Sequence, residues 1–443
     1  MTREVHVIGG GLAGCEAATR LAAHGLRPII WEMKPHKFSP AHRLETLAEL
    51  VCSNSLRADS PEKAVGLLKE ELTKLGSVVM RAALETQVPA GRCLAVDRLL
   101  FSQRVTELVS ALPGVEIRRT EFTGEEVPPG PLILAGGPLA SDPLVDFIKK
   151  RALEKNLFFY DALAPIVTFD SLDLTKMYKA DRYGESGEGD YLNCPLTEEE
   201  YAVFYQALVE ADQVEPRSFE ENRCFEGCLP IEIMAARGPR TLTFGPMKPV
   251  GLNDPKTGRR PAAVAQLRRE NLAGTLWNLV GFQTRLTRPA QDRVFRLIPG
   301  LAKAEFSRYG AIHRNTYLEA PETLDYYQRL KTDPEIFIAG QLSGVEGYVE
   351  SAAQGLWAGE NAARQALGLP LTRPPRETAL GSLLSHLDSF GGRKDFAPSN
   401  INFGLFPPPP ADAPRKIPGA WRVERARAAL ETFLKEINYA YWS

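Results

Sequence analysis

Three features predict an α/β protein in which a Rossmann-type dinucleotide-binding domain is interrupted by an inserted α/β substrate domain. The chain opens with a strand, a glycine turn, a helix and a second strand between Val5 and Glu32. Near its other end, the apolar run Ile336–Ala339 leads through Gly340 and a glycine-rich stretch into a helix of small residues. Between these two units, from about residue 141, the composition turns to aspartate, tyrosine and turn formers.

The opening unit is the most informative. Gly9-Gly10-Gly11-Leu12-Ala13-Gly14 has the G-x-G-x-x-G spacing directly after the buried-strand pattern of Val5, Val7 and Ile8. In such a motif Gly9 permits the tight turn, Gly11 lets the backbone approach a pyrophosphate, and Gly14 lets helix and strand pack closely. The helix expected from Leu12 towards His24 shows a small or apolar side through Ala13, Ala17, Ala18, Leu21 and Ala22, with Gly25 placed to cap it. Its free N–H groups suit phosphate oxygens. Glu32, ending the strand Pro28–Trp31, is placed to accept from a ribose hydroxyl. The glycines alone would fit an ordinary βαβ turn; strand, helix, second strand and acid in order predict a dinucleotide.

Composition bounds the remainder. A chain of 443 residues suggests two or three domains at roughly 150 residues each. The net charge of −2 advertises neither nucleic acid nor membrane, so a polyanion site must come from local clustering. Six cysteines, at 15, 52, 93, 194, 224 and 228, are too sparse for a disulfide framework and fit a reducing cytoplasm. A strand begins within a few residues of Met1, leaving no room for a signal peptide, and no apolar run approaches a membrane span.

In chain order, Leu44–Val51 reads as a short helical piece that delivers Cys52-Ser53-Asn54-Ser55 as a loop. An amphipathic helix follows over Pro61–Leu75, another over Asp97–Leu112, a strand over Val115–Ile117, and a buried strand over Leu132–Ala135. Thr197–Glu200 is a capping box opening a helix to Glu210. Strand-like runs recur at Thr241–Phe244, Val264–Leu267 and Leu276–Phe282. The helix Tyr348–Leu367 has Ala352, Ala353, Gly355, Gly359, Ala362 and Ala363 on one closely packing side, and its N-terminus, with Gly340, Gln341 and Gly347, is available to a flavin ring. The expected domains are 1–145 and 331–406 for the dinucleotide fold, 146–330 for the insertion, and 407–443 for a proline-rich spacer and a terminal helix over Val423–Tyr439.

Four motifs then carry a resemblance: Glu49-Leu50-Val51-Cys52-Ser53-Asn54-Ser55-Leu56, Phe225-Glu226-Gly227-Cys228-Leu229-Pro230, Phe244-Gly245-Pro246-Met247-Lys248-Pro249-Val250-Gly251 and Gly344-Val345-Glu346-Gly347-Tyr348. Together, in this order, they are similar to the folate- and FAD-dependent tRNA (uracil-5-)-methyltransferase family. The likeness runs from residue 5 to about 406. Cys15 stands where that family is expected to have serine and Arg269 where it is expected to have glutamine, and the last forty residues or so match loosely.

The resemblance implies a glutathione-reductase-like FAD-binding fold and transfer of a methylene group from 5,10-methylenetetrahydrofolate to C5 of the T-loop uridine of tRNA. Reduced FAD would be carrier and reductant, recharged by NADH or NADPH. It assigns FAD to Gly9, Gly10, Gly11, Leu12, Ala13, Gly14 and Glu32 and to Gly340, Gln341 and Gly347, the nucleophile to Cys228, and removal of the C5 proton to Cys52. General chemistry agrees in outline: uracil C5 attacks an electrophile only after a thiolate adds to C6, and thiolates form beside positive charge or a helix end. Alternatives are a wobble-uridine modifying flavoprotein of MnmG-like type, a small-molecule FAD dehydrogenase, and a non-enzymatic tRNA-binding scaffold.

Between Ile231 and Arg296 twelve cations face four acids in a chain that is acidic overall. Arg259, Arg260, Arg268 and Arg285 are accordingly expected to meet tRNA phosphates. Cys224 and Cys228 with Cys194 lack a second close Cys/His pair, so no metal is expected. Cys93, Cys194 and Cys224 read as buried or incidental, Cys15 as helix packing in preference to an acidified thiol, and His42 and His313 as structural in preference to general bases. No protein partner is evident.

Overall fold

The computed structural model describes residues 3–152, 157–182, 189–214, 229–389, 396, 398–410 and 419–441, with the side chains of 157–161, 312–314 and 389 excepted. Its first sheet has the order Arg329–Leu330, Asp333–Ile338, Leu132–Leu134, Glu4–Ile8, Arg27–Trp31, Glu116–Arg118. All neighbours are parallel except the outermost strand Arg329–Leu330. A parallel sheet covered on both faces needs strands apolar on both sides, and Val5, Val7, Ile29, Ile30, Ile133, Leu134, Phe337 and Ile338 are fully buried.

The helices Leu12–Ala23 and Tyr348–Ala366 cross against each other beside this sheet. The small residues predicted on the second helix are what permits the approach. A Cβ on Gly355 would lie 2.4 Å from Ala13 Cα, and one on Gly359 2.6 Å from Ala17 Cα. The first motif and the last glycine-rich unit, far apart in sequence, are thereby locked into one body.

The inserted sheet has the order Tyr178–Lys179, Tyr191–Leu196, Ala263–Arg269, Leu276–Leu279, Ile166–Thr168, Phe306–Arg308, antiparallel throughout. Helices Glu198–Val209 and Arg288–Phe295 supply Phe204, Leu208, Val294 and Phe295 to its separate core. The strand pair Leu157–Ala162 with Ile312–Tyr317 forms the passage between the two cores. The insertion is therefore shorter than 146–330: the helix Asp142–Ala152 and the residues Tyr317, Leu318, Ala320, Leu324 and Leu330 pack into the first core.

Several local expectations give way to tertiary context. Leu44–Val51 contains no helix; its apolar residues Leu47, Ala48 and Leu50 are buried because the segment lies against the glycine turn, with Ala48 N donating to Gly10 O at 2.9 Å. Thr241–Phe244 is a single helical turn where a strand was expected. Helices Val78–Glu85, with Ser77 accepting from Met80 N at 3.0 Å, and Ala379–Ser389 were not anticipated. The capping box at Thr197 and Glu200 is present as expected. The terminal helix Gly419–Glu436 is no appendage: Val423, Ala426, Leu430 and Leu434 join the first core, and Arg20 donates to Ala440 O at 2.7 Å while lying 4.0 Å over the Tyr439 ring. Among the described residues no helix is long and apolar enough to cross a membrane.

Candidate functional site

A cavity of about 350 Å³ runs along the ends of the first sheet's strands. Nine of the ten residues predicted for the cofactor line it: Gly9, Gly10, Gly11, Leu12, Ala13, Glu32, Gly340, Gln341 and Gly347. Gly14 lies behind the wall, where a Cβ would fall 1.9 Å from Gly9 O. Gly9 has φ +105°, and a Cβ there would meet Ala135 O at 2.5 Å. Gly11 differs in kind: a Cβ on it meets nothing within 4 Å, so its missing side chain leaves space in the cavity and satisfies no neighbouring atom. The N-terminus of the helix Leu12–Ala23 carries no side-chain cap and no acid in its first turn, leaving N–H groups and the positive end of the dipole for an anion. Glu32 is buried and fixed, accepting from Gly10 N at 3.2 Å and Lys34 N at 3.0 Å. At the opposite wall Gly347, φ +107°, opens the helix Tyr348–Ala366, again with no side-chain cap. Open space at Gly11, two uncapped helix ends and a positioned carboxylate fit a dinucleotide such as FAD.

Cys52 lies on the same wall, half-buried, in an irregular loop. Three distant side chains hold that loop. Tyr348 Oη accepts from Cys52 N at 2.7 Å and from Ser53 N at 3.1 Å. Arg98 donates to Leu50 O at 2.8 Å and Cys52 O at 3.2 Å, and Arg308, from the insertion, donates to Val51 O at 3.3 Å and to the same Cys52 O at 3.2 Å. Buried Glu270 pairs with Arg98. Burial, with Arg98 alongside, lowers the Arg308 pKa to about 10, and burial raises that of Tyr348 above the usual phenol range. Asn54 donates to Val96 O at 3.0 Å and Arg269 O at 2.9 Å, joining the two cores. Two cations thus converge on the carbonyl of the very residue expected to act as base. None of Arg98, Arg308 and Glu270 was singled out in the sequence; only Tyr348 stood in a recognised motif.

Cys228, the expected nucleophile, and Cys224 lie outside the described residues. Cys15 is fully buried with Sγ 3.5 Å from Gly10 O, and burial raises its thiol pKa, so it packs the helix as expected and is not acidified. Burial pushes Cys194 up to about 12, and Cys93 is half-buried. His42 lines the cavity and contacts Ser39 Oγ at 2.5 Å through Nδ1; the His313 side chain lies outside the described set. No group of metal-ligating side chains occurs among the described residues.

The four expected RNA-binding arginines separate. Arg268 is buried and donates to Asn54 Oδ1 at 3.2 Å and Ser53 Oγ at 3.1 Å, which corrects its assignment to a phosphate-facing surface. Arg285 is half-buried and donates to Gln213 Oε1 at 2.7 Å. Arg259 and Arg260 are exposed and line a second cleft on the insertion.

Parallel sheet, glycine cradle and inserted antiparallel sheet together define a Rossmann-type FAD-binding α/β protein. Residues 4–370 match the family described as "Glucose inhibited division protein A". The crystal structure of Aquifex aeolicus GidA superposes with a TM-score of 0.72 at 17% identity, covering 99% of this chain and 74% of that one, a likeness of fold. The Geobacter sulfurreducens protein named methylenetetrahydrofolate–tRNA-(uracil-5-)-methyltransferase TrmFO is 55% identical over 438 residues, 99% of this chain and 100% of its own length. The Moorella thermoacetica protein of the same name is 54% identical over 409 residues, 92% and 93% of the two chains. The chain belongs to the TrmFO family. The first of these alignments runs through the terminal helix, whose match looked loose from the sequence alone.

Proposed function

We propose that this protein makes 5-methyluridine in the T-loop of tRNA, taking a methylene group from 5,10-methylenetetrahydrofolate. Bound FAD, reduced by NADH or NADPH, would carry the one-carbon unit and supply the electrons that take it to the methyl level. The chain's own part begins at the cradle, where Gly11 and the uncapped helix end would hold the pyrophosphate and Glu32 would accept from the ribose. Cys228 then adds its thiolate to uracil C6, forming a C–S bond and moving the electron pair to C5, which attacks the one-carbon unit. Cys52 removes the C5 proton, the pair returns to form the C5–C6 double bond, and the C–S bond breaks.

The observation that supports this reading most directly is the position of Cys52. Its loop lines the dinucleotide cavity and is held by Arg98 and Tyr348 from the first core and by Arg308 from the insertion. A residue that must meet both cofactor and substrate belongs at such a junction. The test is methyl incorporation into an unmodified tRNA transcript supplied with methylenetetrahydrofolate and NAD(P)H. Incorporation that requires S-adenosylmethionine, or none in flavin-loaded protein, would overturn the reading. For the division of roles, Cys228→Ala should form no covalent adduct with 5-fluorouridine tRNA, whereas Cys52→Ala should still form the C6 bond; a robust adduct in Cys228→Ala reverses the assignment.

A further inference from the structure

The insertion carries an open cleft separate from the dinucleotide cavity, lined by Lys176, Arg240, Lys248, Lys256, Arg259 and Arg260 and by three carboxylates, Glu198, Glu200 and Asp254. Two of the carboxylates are engaged locally. Glu200 Oε2 accepts from Thr197 N at 2.8 Å in the capping box, and Asp254 Oδ1 accepts from Lys256 N at 3.0 Å. The Asp254 turn is closed by its own backbone, Gly258 N to Asp254 O at 2.8 Å and Asp254 N to Arg259 O at 3.0 Å, and so presents Arg259 and Arg260 outward. None of the six cations is paired with a carboxylate among the described residues, in contrast to Arg293 and Arg296 nearby, which pair with Asp212 and Asp292.

An aromatic stands at the rim. Phe244 is 71% exposed, more than any other large apolar side chain among the described residues, and Arg240 lies 5.6 Å from its ring centroid. Cations that track a backbone beside an exposed ring on which bases can stack are a recurring way of holding single-stranded RNA.

The cleft also has a fixed distance from the chemistry. In the strand pair Tyr191–Leu196 with Ala263–Arg269, Arg268 at one end touches Ser53 and Asn54, while Leu196, paired with Ala263, lies at the cleft. Five residues of strand separate the ends, about 17 Å at ~3.4 Å per residue. The same sheet that anchors the Cys52 loop therefore carries the cleft as a rigid arm.

We propose that this cleft is a second tRNA contact, gripping backbone phosphates through Arg240, Arg259 and Arg260 and stacking an unpaired base on Phe244, at a set distance from the uridine held near Cys52. The inference rests on the proposed tRNA substrate. It replaces a continuous basic stripe that would have included Arg268 and Arg285 with one localised grip.

The test is equilibrium binding of an unmodified tRNA transcript to flavin-loaded protein across a salt series. The triple variant Arg240→Ala, Arg259→Ala, Arg260→Ala should bind about 30-fold more weakly near physiological salt and flatten the log–log salt slope by roughly 2–3, at about 0.7–0.9 for each phosphate no longer neutralised. Its flavin spectrum and melting temperature should not move. Phe244→Ala should weaken binding about tenfold with the slope unchanged, as removal of one stacked base predicts. If wild-type protein fails to bind tRNA at all, the proposed substrate falls. If it binds and the triple variant matches it in affinity and slope, the cleft is wrong while the substrate stands. Displacement of tRNA by polyglutamate at equal charge concentration would mark the cleft as a site for acidic polypeptide and overturn the RNA assignment.

Discussion

The glycine cradle at Gly9–Gly14 and the loop Glu49–Asn54 face the same cavity but are built in opposite ways. The cradle consists of backbone and of side chains that are missing: Gly9, Gly11 and Gly14 each serve by having no Cβ, and the partners of the turn are Ala135, the adjoining helix and the helix Tyr348–Ala366. The Cys52 loop has no regular structure and is held by the long side chains of Tyr348, Arg98 and Arg308 reaching from three distant places. Steric permission can be removed by one methyl group. A side-chain network weakens in parts.

The largest effect should follow from Gly11→Val. Gly11 has φ −76° and nothing within 4 Å of a Cβ, so the substitution introduces neither backbone strain nor a clash and the protein should fold. The added methyl groups would occupy the space for the pyrophosphate, and purified protein should be colourless with an unchanged far-UV spectrum. A full flavin absorption band would refute the cradle assignment. Gly359→Val probes the other kind of glycine, since its Cβ would approach Ala17 backbone at 2.6–2.8 Å. Forcing the two helices apart should lower stability by about 3 kcal/mol, the upper end for overpacking, visible as a fall in melting temperature.

Tyr348→Phe tests the network. Two amides of the Cys52 loop would lose their acceptor, at a cost of roughly 1–3 kcal/mol, and the mispositioned loop should lower turnover about tenfold with FAD retained. Loss of flavin in parallel with activity would mean that the tyrosine supports the cradle and not the loop. The smallest effect lies away from both. Glu71 is fully buried, accepts from Ala379 N at 2.7 Å and Leu380 N at 2.8 Å, and has its pKa raised by burial to about 8. A folded-state pKa above the unfolded value means that the contribution is complete below the unfolded pKa and is lost as pH rises through about 8. Stability should therefore decline between about pH 5 and 8 with a slope of up to ~1.4 kcal/mol per pH unit from this group. Glu71→Gln should flatten that decline in melting temperature against pH; an unchanged profile would show that Glu71 does not titrate in this range.

The dinucleotide half was legible because its determinants are local: a period-two apolar strand, glycines at fixed offsets and an acid at the next strand's end each impose their geometry within a few residues. The small-residue helix Tyr348–Ala366 was readable for the same reason, although its partner was not. Leu44–Val51 misled because its apolar residues are buried by contact with Gly10 and Thr106, which leaves no helical period to obey. Arg268 looked like its neighbours in a basic stretch, yet alternation along the strand Ala263–Arg269 and its register opposite Tyr191 turn it inward to Ser53 and Asn54. Sequence by itself determined the fold class, the cradle and the motif cysteine that lines it. Only the tertiary structure decided which cations surround Cys52 and which remain open to a polyanion, because a guanidinium reaches several ångströms from its own backbone and its partner is chosen by packing between elements that are distant in the chain.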